Sequence, residues 1–359
     1  MQDLKAQDGK KNNWNYNPGV RSSGFFILRE MVDIKQILST TKKVVITTHK
    51  SPDGDAIGAS LALYQYLKKR NKEVAVIVPD AFPEFLNWMS GSSTIIYYDT
   101  QNELAEQLLE SADLIFALDY NGLERIGDLS NPVSKSKAYK IVIDHHQDPQ
   151  EFANHYIVDS NCCSTSQLIY EFIENLDDLP LLDKELGACI YCGIMTDTGS
   201  FRYPSTTSKT FQIISNLVAL GVDGSKIHER VYDTYSEHRL RLIGYALTEK
   251  MKVFPELKSA YISLSQKELS QFNFKKGDTE GLVNYMLSIN GIKFAILITE
   301  KVDNISLSFR SKEDFFVNKI ANQHFNGGGH IYAAGGMLEI PLEDAIKKVE
   351  SVIHQYQKQ

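Results

Sequence analysis

Short, wholly apolar runs that each end in an acid or an imidazole constrain this chain more than any other feature. Val44-Val-Ile-Thr-Thr48 runs into His49-Lys-Ser-Pro-Asp53-Gly-Asp55-Ala-Ile-Gly58. Leu114-Ile-Phe-Ala-Leu118 is followed by Asp119, and Ile141-Val-Ile143 by Asp144-His145-His146. Val74–Val78 and Tyr156–Val158 are runs of the same kind, and between them lie amphipathic stretches from about Asp55 to Arg70 and from Glu103 to Ser111. Continuous apolar strands alternating with helices predict an α/β domain, a parallel sheet covered by helices on both faces. Ligands of such sheets sit beyond the carboxyl ends of the strands, which is where these acids and imidazoles fall. A further apolar stretch, read as helix, ends in Gly193-Ile-Met-Thr-Asp197-Thr-Gly-Ser200 and adds one more carboxylate.

Carboxylates converging on one sheet edge repel one another and resist ionisation unless cations compensate. Mixed carboxylate and imidazole donors without cysteine suit Mn²⁺, Mg²⁺ or Fe²⁺ better than structural zinc. The set His49, Asp53, Asp55, Asp119, His145 and Asp197 exceeds what one ion with bound water needs. It fits two ions about 3.5–4 Å apart sharing a carboxylate and a water. Gly54 and Gly58 are expected to permit a tight strand-to-helix turn near the ions. Singly, each residue has an ordinary reading: Asp53-Gly54 as a turn, Asp55 as a helix cap, a lone His as structural. Their recurrence at matching strand ends favours the metal centre.

The formal net charge of −7, with no long run of Lys and Arg, argues against wrapping a long nucleic acid. A short anionic substrate remains compatible, because metal ions supply positive charge locally. No apolar run approaches the about 20 residues of a membrane span. The polar start reads as a flexible tail over residues 1–24, with Phe25–Leu28 too short for a signal segment and Met31 a plausible natural start. A cytoplasmic protein is the expectation. Cys162-Cys163 and Cys189-Ile-Tyr-Cys192 invite a redox or zinc reading, but the latter pair lies in the apolar stretch Leu186–Met195 and reads as core packing.

Around Asn216–Lys252 the pattern turns helical and charged, including His238-Arg-Leu-Arg241. Ser259–Leu264, Phe294–Glu300 and Ile305–Arg310 then predict strands of a smaller sheet, followed by helices at about Glu313–Gln323 and Leu342–Gln357. The expected organisation is a tail at 1–30, a metal-binding domain at 31–215, a helical linker at 216–252 and a smaller α/β domain at 253–359, across a cleft from the first. Between the last two helices lies Asn326-Gly-Gly-Gly-His-Ile-Tyr-Ala-Ala-Gly-Gly336. Taken alone this is a loop; a glycine triplet before His can also turn successive backbone N–H groups toward an oxyanion. Arg310, at the end of a predicted strand, can grip a phosphate bidentately. Arg202 and Lys312 are weaker candidates for the cleft wall.

The runs HKSPDGDAIG, LDY, IDHH and MTDTGSF resemble the four signature motifs of the DHH phosphoesterase superfamily. NGGGHIYAAGG resembles the signature of its DHHA1 domain, and the likeness spans about residues 32–357. The layout is most similar to the NrnA-type group of bifunctional oligoribonucleases and pAp phosphatases. The resemblance implies two divalent ions, Mn²⁺ first and Mg²⁺ second. His49 and Asp53 would hold one and Asp55, His145 and Asp197 the other, with Asp119 shared. It implies that His146 faces the substrate, that Asp144 orients an imidazole, and that Gly327, Gly328, Gly329, His330 and Arg310 form a substrate clamp. The implied substrates are nanoRNA of about 2–5 nucleotides and pAp. The alternatives are pApA from cyclic dinucleotides, or pyrophosphate and polyphosphate. A regulator that only binds nucleotides should have lost a ligand, and a homodimer is compatible with the layout.

Overall fold

The computed structural model describes residues 34–356; the expected tail at 1–30 and the start at Met31 lie outside the described residues. A short helix over residues 34–40 comes first, its last turn closed by the Thr41 N–H on the Ile37 carbonyl at 3.0 Å. From Lys42 onward the chain packs as one compact unit holding two six-stranded sheets.

The first sheet is wholly parallel, with order β3-β2-β1-β4-β5-β6. Its strands are β1 (Lys43–Thr48), β2 (Glu73–Val78), β3 (Ile96–Tyr97), β4 (Leu114–Leu118), β5 (Tyr139–Asp144) and β6 (His155–Val158). Side chains alternate across the sheet, so both faces of its central strands must be covered. Val45, Ile115, Ala117 and Val142 pack beneath helix α1 (Tyr98–Ser111) with Leu109, Leu129 and Val133. On the opposite face Phe116 meets Phe172, whose edge also contacts Tyr66. That face is covered by α2 (Gly54–Lys69), α3 (Thr165–Asn175) and α4 (Lys184–Asp197). The strand order reverses between β1 and β4, which opens a crevice at their carboxyl ends.

Gly54 and Gly58 lie inside α2 and have ordinary backbone angles. Their expected role in a tight turn gives way to a packing role. A Cβ on Gly58 would meet the Cys189 carbonyl at 2.7 Å, and one on Gly54 would meet Thr196 Oγ1 at 2.4 Å, so both let α2 and α4 touch. All four cysteines are free and buried.

The expected linker contains the helices Gly224–Tyr232 and Glu237–Tyr245. The second sheet has order β11-β12-β10-β9-β8-β7 and is mixed, with only β8 and β9 parallel. It comprises β7 (Met251–Phe254), β8 (Ser259–Leu264), β9 (Phe294–Glu300), β10 (Ile305–Ser311), β11 (Gly328–His330) and β12 (Ala333–Leu338). It therefore matches the first in strand number, where a smaller sheet was expected. The glycine-rich run is a β-hairpin, corrected from a loop; its strands lack the apolar alternation that marks strands in sequence. The helix expected from Glu313 starts later, at Val317, because Glu313 takes φ +59 and breaks the helical path.

Candidate metal centre and cleft

Each carboxylate is delivered by a different element. Asp53 caps α2, its Oδ1 accepting the N–H groups of Asp55 and Ala56 at 3.0 Å each. Asp55 is thereby freed from capping. Its buried carboxylate accepts the backbone N–H groups of Thr165 and Ser166 at 2.6 and 2.8 Å, at the positive end of α3. Asp119 leaves β4 with φ +63, a conformation that costs energy for any residue but glycine, and its N–H bonds Ile143 O at 3.1 Å. Asp197 ends α4, and the chain then departs through three residues with positive φ, Gly199, Ser200 and Phe201.

The histidines are aimed by their backbone contacts. His49 Nδ1 lies 2.9 Å from Lys50 O, and His145 Nδ1 lies 3.3 Å from Cys162 O. Donation there leaves each Nε2 as a lone pair pointing inward, the orientation in which metal-binding imidazoles are commonly held. His49 Nε2 stands 3.4 Å from Asp119 Oδ2, and His145 Nε2 stands 3.4 Å from Asp119 Oδ1. One carboxylate thus offers a separate oxygen to each imidazole. Donor atoms of His49, Asp53 and Asp119 lie within 4.8 Å of one another, and so do those of Asp55, His145 and Asp197. Thr165 Oγ1 fixes Asp119 further by donating to its Oδ1 at 2.9 Å.

Electrostatics favour a cation here. Burial pushes Asp55 well above the usual carboxylate range, with help from the charges of Asp119 and Asp197. Burial likewise lifts Asp197 to about 6. Burial opposes charge on Asp119 too, but contacts from His145 and His49 hold its carboxyl well below the ordinary value. His145, despite burial, is raised well above an ordinary histidine by Asp197 and Asp119. Among the described residues no Lys or Arg forms an ion pair with these acids. Protons therefore neutralise a site whose oxygen and nitrogen donors are suited to divalent ions, and the donor set fits such ions.

His146 borders this set, its Nδ1 lying 3.7 Å from Asp119 Oδ1 and its ring 4.9 Å from that of His145. Its Nδ1 bonds Asp144 Oδ1 at 2.7 Å, and Asp144 is fully buried. His330 stacks on the His146 ring at 4.4 Å and 22°. Burial, with the charges of His146 and His145, lowers His330 to about 2, so it sits there neutral.

A cleft of about 1130 Å³ opens over the centre. Asp53 and Asp197, the more exposed acids, face it together with Arg310 and Gly327–His330. Arg202 and Lys312 do not line it: Arg202 Nε bonds Gly199 O at 2.8 Å, and Lys312 Nζ bonds Leu287 O at 3.0 Å. Gly327 lines the wall but its N–H is taken by Ala321 O at 3.1 Å, which removes it from the expected row of anion donors. Its lack of a side chain serves packing, since a Cβ would fall 1.9 Å from Gly335 O. Sequence reasoning missed Arg125, Asn318 and Lys319 in the cleft, and the α3 amides behind Asp55. The run Ser164-Thr-Ser166 before an apolar helix is a capping signal that points to the amides; Arg125 carries none.

A parallel-sheet lobe with this centre and a second sheet bearing the glycine hairpin define a two-lobed α/β phosphoesterase. The model of the DHH family, N-terminal domain, matches residues 43–194, and that of the DHHA1 domain matches residues 258–355; the chain belongs to the DHH family. It is similar to the bifunctional oligoribonuclease and PAP phosphatase NrnA of Thermus thermophilus, at 28% identity over 87% of this chain and 89% of that protein. The NrnA of Bacillus subtilis is 27% identical, over 85% of this chain and 92% of that protein. The crystal structure of an exopolyphosphatase-related protein from Bacteroides fragilis superposes with TM-score 0.88 at 43% identity, covering 92% of this chain and 97% of that one.

Proposed function

We propose that the chain hydrolyses short oligoribonucleotides, and pAp to AMP and phosphate, with two divalent ions of which Mn²⁺ suits the donors best. The observation that carries this reading is Asp119, whose two oxygens each face a different imidazole at 3.4 Å. His49, Asp53 and Asp119 would hold one ion and Asp55, His145 and Asp197 the other, with Asp119 common to both. Such a pair supplies Lewis acidity toward a phosphoryl group and makes a nearby water more acidic.

The chain's own residues do the rest. With Nδ1 held by the Asp144 carboxylate, His146 would donate from Nε2 to a phosphate oxygen or to the leaving group when its ring carries a proton on both nitrogens. Arg310 grips a phosphate from across the cleft, and Gly328, Gly329 and His330 form the wall beside it. The description of the Bacteroides fragilis relative gives a second reading, polyphosphate hydrolysis. A cleft lined by amide side chains and glycines as well as charge offers more than a pyrophosphate needs.

The test is a panel of 3-mer RNA, 24-mer RNA, pAp, pApA and pyrophosphate with Mn²⁺. Preference for the 3-mer and pAp is expected. Equal or faster cutting of the 24-mer would sink the short-substrate reading, and pyrophosphate as the best substrate would install the second one.

A further inference from the structure

Beyond the cleft's polar wall the surface carries two large aromatic rings that the core does not use. Phe316 is 43% exposed and Tyr332 39% exposed, with ring centroids 6.2 Å apart. Both are held by backbone bonds from flanking elements. The hairpin of β11 and β12 pairs His330 with Ala333, so Ile331 and Tyr332 form its two-residue tip. The Ile331 carbonyl accepts the Val317 N–H at 2.8 Å, and the Tyr332 carbonyl accepts the Ser311 N–H at 3.0 Å. Phe316 is the residue that opens helix α5 (Val317–His324), and Tyr332 follows His330 by two residues. The tip is thus tied to the ends of β10 and α5, and its tyrosine lies within about 7 Å of the His330 backbone.

Two cations of the cleft lie close to these rings. Lys319 lines the cleft and its Nζ sits 5.8 Å from the Phe316 ring. Arg310, also in the cleft wall, pairs with Ala333 next to Tyr332. His330, Arg310 and Lys319 line the cleft, and Phe316 and Tyr332 adjoin it through Lys319 and Ala333. An apolar partner protein would have no use for two cations at the rim of its site, whereas a nucleotide chain needs both a phosphate grip and a base platform.

We propose that Phe316 and Tyr332 form a stacking platform for the base of the nucleotide next to the one at the metal centre. In this arrangement Lys319 contacts the phosphate between the two nucleotides. The rings' 6.2 Å spacing leaves no room for a base between them, so the base lies on an exposed ring face. This deepens the oligoribonuclease reading and rests on it. It assigns substrate-length selectivity to two residues that pAp, with a single base, does not reach. Stacking tolerates any base, so the platform selects for length and not for sequence.

The experiment compares Phe316→Ala, Tyr332→Ala and the double variant with wild type, using 3-mer RNA and pAp under Mn²⁺. A phosphorothioate-linked, dye-labelled 3-mer gives Kd by anisotropy in parallel. Each single variant is expected to raise KM and Kd for the 3-mer about tenfold with kcat kept, and to leave pAp hydrolysis unchanged. Tyr332→Phe should behave as wild type. An unchanged 3-mer Kd, or an equal loss on pAp, overturns the platform. If wild type hydrolyses neither substrate while its 3-mer Kd still depends on Phe316, the platform stands and the oligoribonuclease reading falls.

Discussion

At the scale of the residue, the decisive feature is how one carboxylate is shared. Replacing Asp119 by Asn keeps the shape but removes the charge that both imidazoles face. We expect kcat to fall at least about a hundredfold, and calorimetry to count fewer than two Mn²⁺ per chain. An unaltered metal count would contradict the shared ligand. Protons are the competitor for the same atoms. Asp197, lifted to about 6 by burial, prefers its protonated form in the folded, metal-free state. Its folded value lies above its unfolded one, so this preference favours folding below the unfolded value and is lost as pH rises through about 6. Above that pH Asp197 adds its negative charge to the apo site, and divalent ions offset it. Addition of Mn²⁺ should therefore raise Tm more at pH 7.5 than at pH 5.5, readable by thermal shift. Equal shifts at the two pH values would remove Asp197 from the set. These residues were legible in the sequence because each follows an apolar strand or ends an apolar helix. The α3 amides behind Asp55 were not, since a backbone N–H leaves no residue-type signature.

Among elements, the contact of α2 with α4 sets the position of Asp55 and Asp197 together. It depends on missing side chains: a Cβ on Gly193 would fall 1.9 Å from Ser166 Oγ and 2.8 Å from Asp55 Oδ1. A Cβ on Gly58 would press on the Cys189 and Gly193 backbones. Gly58→Ala should destabilise through overpacking by about 1–3 kcal/mol, lowering Tm by several degrees and weakening Mn²⁺ binding together. Gly221→Ala is a useful contrast. A Cβ there meets nothing within 4 Å, so its cost is only the strain of φ +91 and Mn²⁺ binding should be unaffected. A Gly58→Ala protein with normal Tm would show that the helices have slack. Strand and helix identity in this lobe was readable because both faces of the sheet are apolar. The hairpin at Gly328–Leu338 was not, for its pairing is carried by backbone bonds between glycines and alanines.

For the whole molecule, both lobes line the cleft, and a charged contact ties the second lobe to the loop that carries two of the proposed metal donors. Lys276, in the segment before β9, donates to Asp80 Oδ2 at 2.7 Å and to Ala81 O at 2.6 Å. Asp80 follows β2, and its other oxygen accepts the Ser51 N–H at 2.5 Å. Ser51 has φ +55 and lies between His49 and Asp53, so Asp80 both receives the second lobe and shapes the loop bearing two donors. The two duties separate by mutation. Lys276 is half exposed, and an ion pair of that kind is worth at most about 1 kcal/mol. Lys276→Met should therefore raise KM for 3-mer RNA no more than about fivefold, with an effect that fades at high salt. Asp80→Ala also frees the Ser51 turn, so it should weaken Mn²⁺ binding about 10- to 100-fold, as loss of a group that orients metal ligands does. Titration of Mn²⁺ against activity in both variants distinguishes the roles. Equal metal affinity in the two would mean that Asp80 serves only the contact between lobes, and that His49 and Asp53 are held by β1 and α2 alone.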